Sequence, residues 1–67
     1  MLNPYDVFLI KNDGLYLWIG DADSLQSAWK LIEAKKSSPE DKFKVYDRNS
    51  SETIEVRAGQ LATKLGG

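Results

Sequence analysis

Asn12-Asp13-Gly14 stands between two apolar runs, and this turn constrains the fold more than any other feature of the chain. Residues 5–11 lead in and residues 15–20 lead out. Both runs are rich in β-branched and aromatic residues. Asp-Gly between such runs is a strong signal for a β-hairpin. Pro4 lacks an N–H and suits the start of the first strand. Neither run alternates cleanly between apolar and polar residues, so both faces of the hairpin are expected to be partly covered.

Register decides which side chains share a face. A three-residue loop with Gly14 left-handed pairs Leu9 with Leu17 and Phe8 with Trp18. It gives an aliphatic face of Val7, Leu9, Leu17 and Ile19, and an aromatic-rich face of Phe8, Ile10, Tyr16 and Trp18. A two-residue Asp13-Gly14 loop instead groups Phe8, Ile10, Leu17 and Ile19. The first sorting is the more coherent chemically. A slip of one residue exchanges the faces.

A helix is predicted over residues 24–36. Asp23 is a candidate N-cap, with Gln26 three residues on completing a capping-box pattern; Ser24 is the rival. Leu25, Ala28, Trp29 and Ile32 form an apolar stripe at helical spacing, widened by Leu31. That spacing assigns Trp29 to the core. Lys35 and Lys36 fall in the last turn, where the helix dipole favours cations. Pro39 stops the helix, because the residue before a proline avoids the helical region.

Residues 42–47 read as a third strand, with Phe43 and Val45 alternating against Lys44 and Tyr46. Residues 48–51 form a polar turn. Residues 53–57 read as a fourth strand, with Ile54 and Val56 inward and Glu55 outward. Residues 58–67 read as a flexible tail, in which Leu61 and Leu65 also permit a short frayed helical turn. The expected body is residues 4–57 of a single small domain. Its order is β-β-α-β-β: an α+β two-layer sandwich, with one helix on one face of a mainly antiparallel four-stranded sheet.

Composition sets limits on such a domain. A chain of 67 residues buries only about 60% of the surface its unfolded form exposes. Small scaffolds use a disulfide, a metal or a second subunit to make up the deficit. The chain has no cysteine and no histidine. That removes disulfides, thiolate metal sites, and the commonest general base and metal ligand. Self-association is the support that remains. No catalytic residue, metal site or cofactor is expected: Asp21 and Asp23 stand at the helix entrance, Glu40 and Asp41 in a loop, and nothing sets two carboxylates across a cleft. There is no phosphate-cradling glycine loop and no nucleophile elbow. No signal-like segment or membrane-length apolar run is present, so a soluble, cytoplasmic protein without membrane contact is expected.

The net charge of −1 argues against a general nucleic-acid binder. Residues 1–29 carry −3 and residues 30–48 carry +2. Tyr46 between Lys44 and Arg48 has the makings of a weak nucleic-acid contact by stacking and phosphate pairing. The stronger expectation concerns Phe8, Ile10, Tyr16 and Trp18. If the aliphatic face packs on the helix, these four occupy the uncovered face, and an apolar patch of that size marks an interface. The expected function is a non-catalytic protein-interaction module. It pairs with itself as a homodimer, or with another protein, through that face or an edge strand.

Two resemblances bear on this expectation. Tyr5-x-Val7-Phe8, Asp13-Gly14, Trp18-Ile19, Ala22-x-Ser24-Leu25-x-x-Ala28 and Phe43-x-Val45-Tyr46-Asp47 together resemble a group of short bacterial β-β-α-β-β proteins of no established activity. The likeness covers about residues 5–48. It implies a bacterial cytoplasmic setting and supplies no catalytic or binding residues. The closing Gly66-Gly67 resembles the free diglycine of ubiquitin-like modifiers and small sulfur carriers. Those proteins end a β-β-α-β body in a tail that an adenylating enzyme threads through a narrow channel. That resemblance implies conjugation or sulfur transfer at Gly66 and Gly67, as an alternative to the interaction module.

Overall fold

The computed structural model describes residues 3–61. It contains β1 (Tyr5–Ile10), β2 (Tyr16–Ala22), α1 (Leu25–Lys35), β3 (Lys42–Asp47) and β4 (Glu52–Arg57), followed by a short 3-10 turn at Ala58–Gln60. The fold is α+β, with the strands in one sheet of order β2-β1-β3-β4 and every neighbouring pair antiparallel. The chain makes the β1–β2 hairpin, crosses above the sheet as α1, and returns on the far side of β1.

The hairpin adopts the three-residue loop. Leu9 pairs with Leu17, Phe8 with Trp18, and Ile10 with Tyr16. The Gly14 N–H donates to the Lys11 carbonyl at 2.9 Å, and the Lys11 N–H donates to the Leu15 carbonyl at 2.8 Å. Gly14 has φ 86°, a left-handed conformation that glycine adopts without a Cβ clash.

The second strand runs two residues further than the sequence suggests. A β-bulge between Phe8↔Trp18 and Val7↔Gly20 sets Ile19 outside the regular pairing, and the ladder then continues to Tyr5↔Ala22. A bulge absorbs one residue and bends its strand. Gly20 lies under the helix there: a Cβ on it would meet Leu31 Cδ2 at 2.9 Å. The helix cap is Ser24 rather than Asp23. Ser24 Oγ accepts from the Ser27 N–H at 3.1 Å, satisfying one of the unpaired donors of the first turn. At the other end the Lys36 N–H donates to the Ile32 carbonyl at 2.8 Å.

The core is the layer between sheet and helix. Val7, Phe43, Val45 and Val56 from the sheet meet Ala28, Trp29 and Ile32 from α1. Leu9, Ile19, Leu25, Leu31 and Ile54 pack around them, partly buried. Trp29 is core, as its spacing predicts.

The structure departs from the sequence reading beyond β4. Residues 58–61 are not tail. The 3-10 turn folds back so that the Gly59 N–H donates to the Pro39 carbonyl and the Ala58 N–H to the Asp41 carbonyl, both at 2.8 Å. Ala58 and Leu61 are buried, Leu61 completely. Leu61 widens a small core; the short helical turn that the Leu61 and Leu65 spacing permits is present as the 3-10 turn at Ala58–Gln60, but that spacing does not announce the burial. The rest of the expected tail, Gly66 and Gly67 included, lies outside the described residues.

Leu61→Ala should therefore lower the unfolding free energy by about 2–5 kcal/mol, the cost of a buried leucine. Urea denaturation measures it. A tail residue would cost less than about 0.5 kcal/mol.

Candidate interaction surface

The pairing sorts the outer residues into rows. On the face away from α1, β2 contributes Tyr16 and Trp18, β1 contributes Ile10, Phe8 and Asp6, β3 contributes Lys42, Lys44 and Tyr46, and β4 contributes Arg57, Glu55 and Thr53. The four apolar residues singled out from the sequence thus lie together on two adjacent strands. Phe8 and Ile10 are half-buried by their neighbours. The rings of Phe8 and Tyr16 are tilted, with centroids 6.3 Å apart.

Polar groups fix the rings. Asp6 is the anchor: its carboxylate accepts from the Trp18 indole N–H at 3.2 Å and from Arg48 Nε and Nη2 at 2.7 and 2.6 Å. One carboxylate thereby ties β2 to the β3–β4 turn across β1 and β3. The bidentate guanidinium of Arg48 holds the Asp6 carboxyl below its ordinary value, and the Trp18 hydrogen bond acts in the same direction. Lys44 lies over the Tyr16 ring, 4.4 Å from its centroid, and donates to the Tyr16 hydroxyl at 2.7 Å. It also reaches Glu55 at 3.8 Å. The hydrogen bond to Tyr16 raises the Lys44 pKa.

The exposed apolar surface is not spread over this face. It is concentrated on one edge. Leu15, Tyr16, Leu17 and Trp18 are 62%, 53%, 50% and 55% exposed. They are consecutive, so they project on both sides of β2. Leu17 was expected beneath the helix with Val7 and Leu9. It does point to that side, but the helix does not cover it. An 11-residue helix is about 16 Å long, and α1 lies over the Gly20 end of β2 instead. Leu15 and Leu17 are thus surface residues that sequence reasoning missed. No local signal marks them: residues 15–19 are all apolar, and their pattern does not say where the helix stops above them.

The backbone of β2 is also open. The Lys11–Leu15 hydrogen bond fixes the phase of the hairpin ladder. Bonded and non-bonded pairs alternate along an antiparallel ladder. Leu9↔Leu17 is accordingly the bonded pair, and the N–H and C=O groups of Tyr16 and Trp18 point away from β1. No other strand among the described residues lies on that side. The opposite edge, β4, exposes Glu52, Thr53, Glu55 and Arg57, the charged dress that protects edges. Residues 15–20 carry no charge.

Asp41 serves structure. Asp41, in the α1–β3 connection, accepts from the Ser37 N–H, the Ser37 hydroxyl and the Ser38 N–H at 2.9, 3.0 and 3.1 Å. Those bonds lower its pKa and tie the carboxylate to its own loop. Among the described residues no group of three or more acidic side chains is placed to hold a metal ion, and no helix is long and apolar enough to cross a membrane. No protein-family model, curated protein or solved structure matches the chain.

The Asp6 pair makes stability depend on pH. The folded carboxyl titrates below its ordinary value. Its contribution is therefore complete above about pH 4 and fades as pH falls through the folded pKa. Asp6→Asn should be less stable than the native chain near pH 7, and the two should converge as the pH falls below the folded pKa of Asp6, where the native carboxyl is protonated too. Thermal unfolding across that range measures it. Asp41 gives a slope of the same sign in both proteins, so the variant keeps part of the acid sensitivity.

Proposed function

We propose that this domain is a non-catalytic interaction module that associates with a second copy of itself through β2 and the adjoining aromatic face. The single observation that carries the reading is a sheet edge where four consecutive apolar side chains, Leu15 just before β2 and Tyr16, Leu17 and Trp18 within it, are exposed, and where the backbone groups of Tyr16 and Trp18 face no strand among the described residues. An uncharged open edge is a template for pairing with another chain. The far edge is guarded by charge, so association through β2 closes at two copies rather than growing along the sheet.

Electrostatics favour protein over nucleic acid as the partner. The cations nearest the rings are already engaged, Lys44 by Tyr16 and Glu55 and Arg48 by Asp6. A strand-binding platform needs such cations for phosphates. The rings next to them would bring stacking without charge neutralisation.

The strength of association follows from area. An aromatic side chain brings about 150–250 Å² of surface, so four large side chains left about half exposed offer on the order of 400 Å² per copy. A standard interface hides about 800 Å² per partner. The pairing is therefore weak, with a dissociation constant in the micromolar range or above.

Sedimentation equilibrium from about 10 µM to 1 mM, which brackets that affinity, should show the mean mass rising toward two chains. Trp18→Glu should remain folded, because the side chain is exposed, and should sediment as one chain throughout. A Trp18→Glu protein that unfolds would assign Trp18 to the core and remove the reading.

A further inference from the structure

The symmetry of the apolar strip specifies how two copies meet. Residues 15–19 read Leu-Tyr-Leu-Trp-Ile, an apolar segment centred on Leu17. A closed pair of identical chains has a two-fold axis, and antiparallel pairing of a strand with itself places one residue opposite its own copy. Resting on the self-association reading above, we infer that the axis passes beside Leu17 and that two β2 strands join antiparallel into one continuous eight-stranded sheet.

Hydrogen-bond phase permits this register. The outward N–H and C=O groups belong to Tyr16 and Trp18. With Leu17 opposite Leu17 of the second copy, Tyr16 stands opposite Trp18 of the second copy and Trp18 opposite Tyr16. Each of these two pairs exchanges both backbone hydrogen bonds. Leu17 with its copy is then a non-bonded pair, in which side chains approach most closely. Leu15 stands opposite Ile19, so the strip meets only apolar residues.

Charge excludes the neighbouring registers. The bonding phase allows slips of two positions only. One slip sets Trp18 against its copy and Leu15 against Asp21. The other sets Tyr16 against its copy and Ile19 against Asp13. Each puts a carboxylate beside an apolar side chain that it would have to share buried surface with, which costs free energy. The bulge at Ile19 and the turn at Asp13 end the strip on either side. The small area available demands this economy: a pair with little surface to hide must bury all of its apolar side chains together.

The arrangement has a consequence for the outer face. Phe8, Trp18, Tyr16 of the second copy and Ile10 of the second copy fall in one row across the joint, and the mirrored row lies beside it. The two aromatic faces merge into one stripe, flanked on both sides by Lys42 and Lys44.

Single-cysteine cross-linking tests the register, since the native chain has no cysteine. Non-bonded partners lie about 4.5 Å apart at Cα, within the range of about 4.4–6.8 Å that a disulfide accepts. Leu17→Cys under mild oxidation should form a covalent dimer at least about tenfold faster than Leu15→Cys, whose own copy lies four positions further along the joint. Isotope-filtered NOEs between the Tyr16 and Trp18 rings of differently labelled native chains give the same answer without a substitution. If the protein sediments as a dimer but Leu17→Cys cross-links no faster than Leu15→Cys, and the ring NOEs are absent, self-association stands and this register is overturned. A protein that stays monomeric up to 1 mM overturns both.

Discussion

The hairpin register set by Asn12-Asp13-Gly14 is the constraint on which everything else rests. It puts Leu9 beside Leu17 and Phe8 beside Trp18. From that phase follow the apolar layer under the helix, the ring cluster on the reverse face, and the direction of every backbone group on β2. A loop one residue shorter would send Leu17 and Ile19 to the side of Phe8 and Ile10. The helix stripe would then meet aromatic residues.

Local features agree with that register. The bulge at Ile19 and the bare Cα of Gly20 let α1 approach β2 closely at one end. The same approach leaves the other end of the hairpin uncovered, because one short helix cannot reach it. Asp6 then spans the sheet from Trp18 to Arg48. It orients the exposed indole with a charged hydrogen-bond network, which is stronger than a neutral contact. The rings are held in place although no layer among the described residues covers them.

Much of the architecture was legible in the sequence. Element order, sheet class, the loop type and the limits of β3 follow from turn chemistry and alternation. The division of Phe8, Ile10, Tyr16 and Trp18 from the aliphatic residues follows from register alone. Three things were hidden, each for a physical reason. Ser24 caps in place of its neighbour Asp23, and both are residue types that cap, so composition alone does not choose between them. Leu61 is core because a turn at Ala58–Gln60 folds back on Pro39, a tertiary contact that the Leu61 and Leu65 spacing does not reveal. Leu15 and Leu17 are exposed because of where the helix stops above the sheet, and sequence fixes the length of the helix better than its position.

The central claim is that the Tyr16 and Trp18 amides form an open edge that a second copy closes. Amide hydrogen exchange at these two positions, followed against protein concentration, tests it most directly. The account predicts fast exchange in dilute solution and growing protection as concentration rises, with the β4 edge unchanged. Protection of both amides in dilute solution would show that the edge is already covered within one chain. Exchange that stays fast at every concentration would show that no second copy pairs there.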